Sequence, residues 1–381
     1  MTVLNDLSHD PRVRREATTL AKAGHNVVVL GIEGPGLPQQ ERTRGFTIMR
    51  LPMHSSSWPS SALSLGIKFV EYFSRTVAAA TAVDADVYHA HDVDTLLVGA
   101  AAARVRKAQL LYDAHEFEAG RDWSRSTVPT LFQRLWTLPE QIAIRRAKVV
   151  ITVSDSIADK LNELYDIGRP FVVRNIPETN RFNRFVDLRS QVGADQNTAL
   201  VLYQGKISRG RGIEQSVRAV RQVRGAELVL VGDGPFLEPL RQSLARRGLQ
   251  HKVHLIGRVG LDEVVGYTHA AEIGVPAIQN SCLNHYYCLP NKLFEYIQAG
   301  LPVVVSDFPE MARIVKEHEV GELVDPSSPH QIAAAIKRLV NDVSYYRTLK
   351  RNVIAASELF TWEKESNRLL RVYEELENSS R

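Results

Sequence analysis

In the stretch Leu289-Pro290-Asn291-Lys292-Leu293-Phe294-Glu295-Tyr296-Ile297-Gln298-Ala299-Gly300-Leu301-Pro302, a Pro-Asn turn, one lysine and one glutamate open a helix that Gly300 closes. A helix start presents unpaired N–H groups and a partial positive charge, which suits a phosphate. Pro290, Asn291, Lys292 and Leu293 therefore read as a phosphate-facing turn. Glu295 lies one turn further in, where a carboxylate can accept from the hydroxyls of a ribose or a sugar. Phosphate donors beside a hydroxyl acceptor are what a nucleotide-sugar site needs.

A second cluster follows an apolar run: Gly205-Lys206-Ile207-Ser208-Arg209-Gly210-Arg211-Gly212. The glycines permit a tight turn, and Lys206 and Arg211 suit two phosphates, the arginine with bidentate geometry. Arg209 reads equally well as a solvated charge. Gly232, Asp233 and Gly234 form a turn after another apolar run and are candidates to line the same pocket. Arg258 and Val259, in Gly257-Arg258-Val259-Gly260, form a further turn whose backbone can pair with a base edge.

The first half carries fewer decisive signals. In Tyr112-Asp113-Ala114-His115-Glu116 a histidine falls just past a strand tip, where open parallel sheets bind ligands, so His115 is a candidate for a sugar hydroxyl or a developing charge. His89, His91, Asp92 and Asp94 have metal-binding side chains. A strand end and a helix cap explain the same four residues, and the expected metal count is none. The opening turn, Asn5 to Val13, contains no glycine, which argues against a dinucleotide fingerprint. Asp10 with Pro11 reads as a helix cap there, while Asp6, His9 and Arg12 are acceptor-site candidates.

These residues need scaffolds. Short apolar runs at 27–30, 87–89, 110–112, 149–153 and 171–173, and again at 199–203, 227–231, 253–256, 272–275, 302–305 and 321–324, alternate with helical patterns. That alternation implies parallel sheets covered on both faces, in two doubly wound α/β domains. The seam lies between 175 and 197, giving domains over 1–178 and 190–361 and a last helix from about Trp362. Residues 2–5 make a short first strand, either clipped of upstream residues or a genuine edge strand. A chain of 381 residues at 44% hydrophobic and 24% charged supports two large cores. Two cysteines cannot build a disulfide framework, which points to a reducing, cytoplasmic setting. The first 14 residues carry charges and no apolar run, unlike a signal peptide. A net charge of +4 is compatible with anionic lipid or substrate and too weak to argue for nucleic acid.

Taken in order, these pieces resemble the retaining glycosyltransferases of family 4, which have the GT-B fold. The likeness rests on Asp10-Pro11-Arg12-Val13, His115 after a strand, Ile151-Thr152-Val153-Ser154, Gly205-Lys206 with Arg211-Gly212, Gly232-Asp233-Gly234-Pro235 and, most specifically, the block from Pro290 to Val305. It implies two Rossmann-like domains facing a central cleft, with the C-terminal one holding a nucleotide-diphosphate sugar. A UDP-sugar is the favoured co-substrate, without cofactor or metal. The resemblance places Lys206 and Arg211 on the diphosphate, Glu295 on the ribose, His115 on the donor sugar and the last helix back on the N-terminal domain. It implies a hexosyltransferase-type enzyme acting on an unidentified hydroxyl acceptor. Tyr287 stands where many members carry a first glutamate, eight positions before Glu295. A 2-epimerase of nucleotide sugars and a non-catalytic partner subunit are the alternatives. Basic and aromatic residues between Arg121 and Arg146, and the apolar segment 58–73, suit either a peripheral contact with the inner face of an anionic membrane or packing against the sheet.

Overall fold

The computed structural model describes the chain except for residues 9, 56, 59–60, 122–137, 139, 180–185 and 379–381. The chain divides into two compact units. One comprises Met1–Arg174 with Glu365–Arg381, the other Asn175–Lys364. Trp123, Leu131, Phe132, Leu135 and Trp136, part of the suggested membrane face, lie outside the described residues, as does His9. No helix among the described residues is long and apolar enough to cross a membrane.

In the first unit, strands β1 (Val28–Ile32), β2 (Gln40–Thr43) and β3 (Phe46–Leu51) make one group, with β1–β3 parallel and β2–β3 antiparallel, and β4 (Val87–His91), β5 (Gln109–Ala114), β6 (Val149–Thr152) and β7 (Phe171–Val172) make another, all parallel. Residues 2–5 join them. Thr2 bridges both Leu30 and Ala90, and backbone bonds run from Thr2 to His89 and from Ile32 to Asn5. The first strand is thus central rather than an edge. Helices α1 (Pro11–Lys22), α2 (Ala62–Ala82), α3 (Val93–Arg106) and α4 (Asp155–Tyr165) follow or separate these strands. Asp10 caps α1 by accepting from the Val13 N–H, with Pro11 in the first turn, as the turn chemistry anticipates. The β2–β3 hairpin escapes a hydrophobic-pattern reading because β2 is polar; Arg44 and Gly45 form its turn at φ of 46° and 91°. On α2, Tyr72 packs against Met53 and Val98 while Val70 points outward, so this segment serves in part as core.

The second unit has six parallel strands: β8 (Ala199–Gln204), β9 (Ala226–Val231), β10 (Val253–Gly257), β11 (Ile273–Gly274), β12 (Val303–Ser306) and β13 (Gly321–Val324). They lie in the order β10-β9-β8-β11-β12-β13. The order reverses between β8 and β11, and the loops leaving these two strands at a reversal splay apart and open a crevice. The helices that flank this sheet include α5 (Leu188–Val192), α6 (Ile213–Val220), α7 (Leu237–Arg246), α8 (Leu261–His269), α9 (Leu283–Tyr286) and α10 (Asn291–Gln298). Then come α11 (Pro309–His318), α12 (Pro329–Asn341), α13 (Val343–Ser357) and α14 (Trp362–Asn378). From Glu365 onward α14 belongs to the first unit, where Tyr373 lies 3.1 Å from His89 and the Leu376 carbonyl accepts from Gln109.

Helix α10 is held against the sheet at Gly274, where an added Cβ would stand 2.5 Å from the ring of the fully buried Tyr296. The Tyr296 hydroxyl accepts from the Gln204 N–H at 3.0 Å, so the ring has little freedom to yield. Gly274→Ala is expected to destabilise this unit by about 1–3 kcal/mol through overpacking, read by urea unfolding. An unchanged midpoint would contradict this packing.

Candidate functional site

The loops at the reversal of the second sheet approach one another closely because glycines line them. Gly205 leaves β8 at φ 110° and Gly232 leaves β9 at φ 142°. A Cβ on Gly232 would stand 1.9 Å from the Gly205 carbonyl oxygen. The Ile207 N–H donates to the Asp233 carbonyl at 2.8 Å and Gly205 N–H to Val231 at 2.9 Å, locking the two turns together. A Cβ on Gly234 would likewise meet the Ile207 oxygen at 2.3 Å. Asp233 turns inward on its own loop and accepts from the Gly234 N–H.

Side chains from β8 and α10 converge behind these turns. The Lys292 ammonium sits 4.0 Å from the centre of the Tyr203 ring, and a Cβ on Gly205 would lie 3.3 Å from it. Arg211, on the loop after β8, is close enough to bear on both Lys292 and Tyr203. Burial, and then Arg211, pulls the Lys292 ammonium down to about 7. Glu295 accepts from the Gln204 amide at 2.5 Å, and Gln204 in turn accepts from Thr268 at 2.7 Å. Among the described residues no carboxylate lies within 4.0 Å of Lys206, Arg211 or Lys292, whereas Arg209 pairs with Glu214 at 3.4 Å. Cations left without carboxylates beside glycine turns have the chemistry that suits an anion.

Not every expected residue faces this site. The Leu293 side chain is fully buried in the core, and its N–H donates to the Pro290 carbonyl, so its contribution is packing. Val259 packs on the same apolar core, while Arg258 is exposed at the end of the edge strand β10. Tyr287 follows α9 with its ring edge-on to Tyr286 at 5.1 Å. Gln204, Tyr203 and Tyr296 escape the sequence reading; the one signal is a polar glutamine closing an apolar strand, buried to 3% exposure.

The first unit has its own charged cluster at the strand tips. Arg12, at 2% exposure, makes a bidentate pair with Asp113 at 2.8 Å for both bonds and donates to the Val173 carbonyl. It also lies 3.0 Å from Glu16. This corrects Arg12 as an acceptor-facing residue: the guanidinium is a buried tie between α1 and the sheet. Asp6 accepts from the Ser8 N–H and hydroxyl within the opening turn. Asp113 further accepts from His91 at 3.2 Å and His115 at 2.9 Å. The other nitrogen of His115 lies 3.1 Å from Asp92. Asp92 therefore holds His115 and makes no side-chain cap to α3.

Glu16, His89, His91 and Asp113 gather with potential ligand atoms within 4.8 Å, a different set from the His89, His91, Asp92, Asp94 grouping. Arg12 stands as the cation in contact with both of its carboxylates. Burial opposes the charge on His115, but Asp92 and Asp113 hold its imidazolium well above the ordinary range. Burial, and then the neighbouring His91, keeps His89 well below it. Burial pushes Glu16 up to about 8. Both ring nitrogens of His115 are engaged by carboxylates, so a hydrogen bond to a sugar requires one of them to let go.

Residues 9–175 match the Glycosyl transferase 4-like domain and residues 198–342 match Glycosyl transferases group 1. The chain is 23% identical over 371 residues to an uncharacterized glycosyltransferase of Methanocaldococcus jannaschii, covering 94% of this chain and 91% of that one. Its structure is similar to sucrose-phosphate synthase from Thermosynechococcus elongatus, with a TM-score of 0.79, 21% identity, and 96% and 93% of the two chains covered. It is also similar to the Anabaena protein HepE solved with UDP-glucose, with a TM-score of 0.77, 18% identity, and 98% and 99% covered.

Nitrogen-detected NMR tests the strand-tip network. His115 is expected to remain doubly protonated at pH 7.5 while His89 stays neutral. A raised folded value means that the stability His115 supplies is complete below about 6.5 and is lost as pH rises through that folded value. Asp92→Asn should lower the His115 titration by about 1 unit or more and flatten the alkaline decline of the melting temperature. Titration of wild-type His115 in its ordinary range would overturn the assignment.

Proposed function

We propose that this chain, whose two parts match glycosyltransferase domains and whose fold is GT-B, is a retaining glycosyltransferase whose second unit grips a nucleoside-diphosphate sugar. The observation that carries this reading is the pairing of Arg211 with Lys292, neither with a carboxylate partner among the described residues, beside glycine turns where the strand order reverses, with Lys206 exposed on the same loop as Arg211. A diphosphate bridging Lys206 and Arg211 would supply the missing negative charge. Glu295, oriented by Gln204, is left to accept from ribose hydroxyls. Gly232 and Gly234 seat their turn against Gly205 and Ile207, Gly205 leaves bare main chain beside Lys292 for a phosphate oxygen, and Pro290 with Asn291 starts the helix that carries Lys292.

In this reading the sugar leaves from phosphate toward an acceptor hydroxyl on the same face of the ring. The C1–O bond to the diphosphate breaks as the C1–O bond to the acceptor forms, and the departing phosphate oxygen takes the acceptor proton. Fixed cations lower the barrier by stabilising charge on the leaving diphosphate, and holding both substrates supplies the rest. No protein nucleophile takes part. The HepE complex with UDP-glucose supports UDP-sugars as the first donors to try.

A thermal-shift panel of UDP-, GDP-, ADP- and dTDP-sugars should give a hit, since only preferential binding to the folded state raises the melting point. With that donor, Arg211→Ala and Glu295→Ala are expected to cut transfer, followed as nucleoside diphosphate release, by about 100-fold or more while keeping the wild-type circular dichroism. Full activity in both variants would contradict the site. Proton exchange at the sugar C2 with no acceptor present would instead favour an epimerase.

A further inference from the structure

Lys292 stands apart from the other two cations. Lys206 and Arg211 lie on the loop that leaves β8, Lys206 exposed and Arg211 half-buried. Lys292 rises from the first turn of α10 and folds over the face of Tyr203, its ammonium brought beside the main chain because residue 205 has no side chain. The titratable and aromatic groups that bear on it can be named. Arg211 comes from the β8 loop, Glu295 from one turn along the same helix, the Cys288 thiol from the preceding loop, and the Tyr203 ring from β8. Glu295 does not complete an ion pair with it, because the Gln204 amide holds that carboxylate. The lysine is therefore half-buried beside another cation, over an aromatic face, with Glu295 acting on it only from a distance.

We propose that binding of a nucleoside diphosphate draws a proton from solvent onto the Lys292 nitrogen, so that donor binding and proton uptake are one event. This rests on the donor-site reading above. In the free protein, burial and Arg211 hold the group at about 7. A diphosphate set between Arg211 and Lys292 reverses the local sign of the field and stabilises the ammonium. The proton balance is explicit: solvent or buffer gives up H⁺, the lysine amine becomes an ammonium, and that ammonium donates to a phosphate oxygen. At a pH above 7 the free amine must be protonated on binding, so affinity falls as pH rises, by up to about tenfold per unit.

The sign distinguishes this residue from a permanently charged one. Arginine at the same position would carry its charge before the ligand arrives. The Glu295 carboxylate stays with its amide partner Gln204.

The experiment is isothermal titration calorimetry of the full chain with UDP at pH 8, in HEPES and in Tris, whose ionisation enthalpies differ. The wild type should take up roughly 0.5–1 proton per UDP bound, as expected for a group near 7 whose charged form the ligand stabilises. Lys292→Arg should bind UDP with uptake near zero and with an affinity flat between pH 7.5 and 9. Lys292→Met should bind about 10-fold or more weakly, again without uptake. Wild-type binding with no buffer dependence overturns the proposal and leaves the donor site standing, as does equal uptake in Lys292→Arg. Failure of UDP, GDP, ADP and dTDP all to bind overturns the donor-site reading and the proton step with it.

Discussion

The close approach of main chain to main chain at the tips of β8 and β9 is the constraint on which the second unit's chemistry depends. Parallel strands release their chains on the same edge of the sheet, so neighbouring loops compete for space. Gly232 and Gly234 resolve the competition by presenting no Cβ to the carbonyls of Gly205 and Ile207. Two turns then lie against each other main chain to main chain, and the first of them carries Lys206 and Arg211. Any side chain at Gly232 would push the Gly205 turn away from Lys292 and undo the spacing of charges that an anion requires.

The first unit solves a different problem with a different device. A carboxylate at the end of a buried strand costs heavily unless it is paired. Asp113 is saturated by Arg12, His91 and His115, and its charge holds three elements, α1, β4 and β5, in one register. Burial alone would raise this carboxylate; Arg12 and His115 hold it well below the usual range. The same bonds favour the charged form of His115 and lift its range well above the ordinary one.

Much of this was legible in the residue order because, the β2–β3 hairpin apart, the strands are parallel and largely buried. Apolar runs bounded by Gly, Pro and Asp locate β8, β9, β12 and β13 within a residue or so. The hairpin at Gln40–Thr43 and Phe46–Leu51 was not legible, since a polar edge strand carries no apolar signature. Residue types and spacing single out the turn Gly205–Gly212 and the lysine and glutamate of α10, and the fold sets Lys292 beside Gly205. What could not be read was partnership across long separations. Arg12 looks like an exposed cation in a turn until Asp113, 101 residues later, is brought against it. Gln204 looks like a strand ending until the fold places Glu295 and Thr268 on either side of its amide.

The first unit is also discontinuous in sequence. Its final residues arrive only after all of Asn175–Lys364 has been made. Until α14 is synthesised, His89 lacks Tyr373 and the Arg174 N–H lacks Glu365. A growing polypeptide leaving the ribosome can therefore complete its second unit while the first still waits for its last helix. The half that is begun first is finished last, and for that interval its sheet is the surface most in need of protection by chaperones.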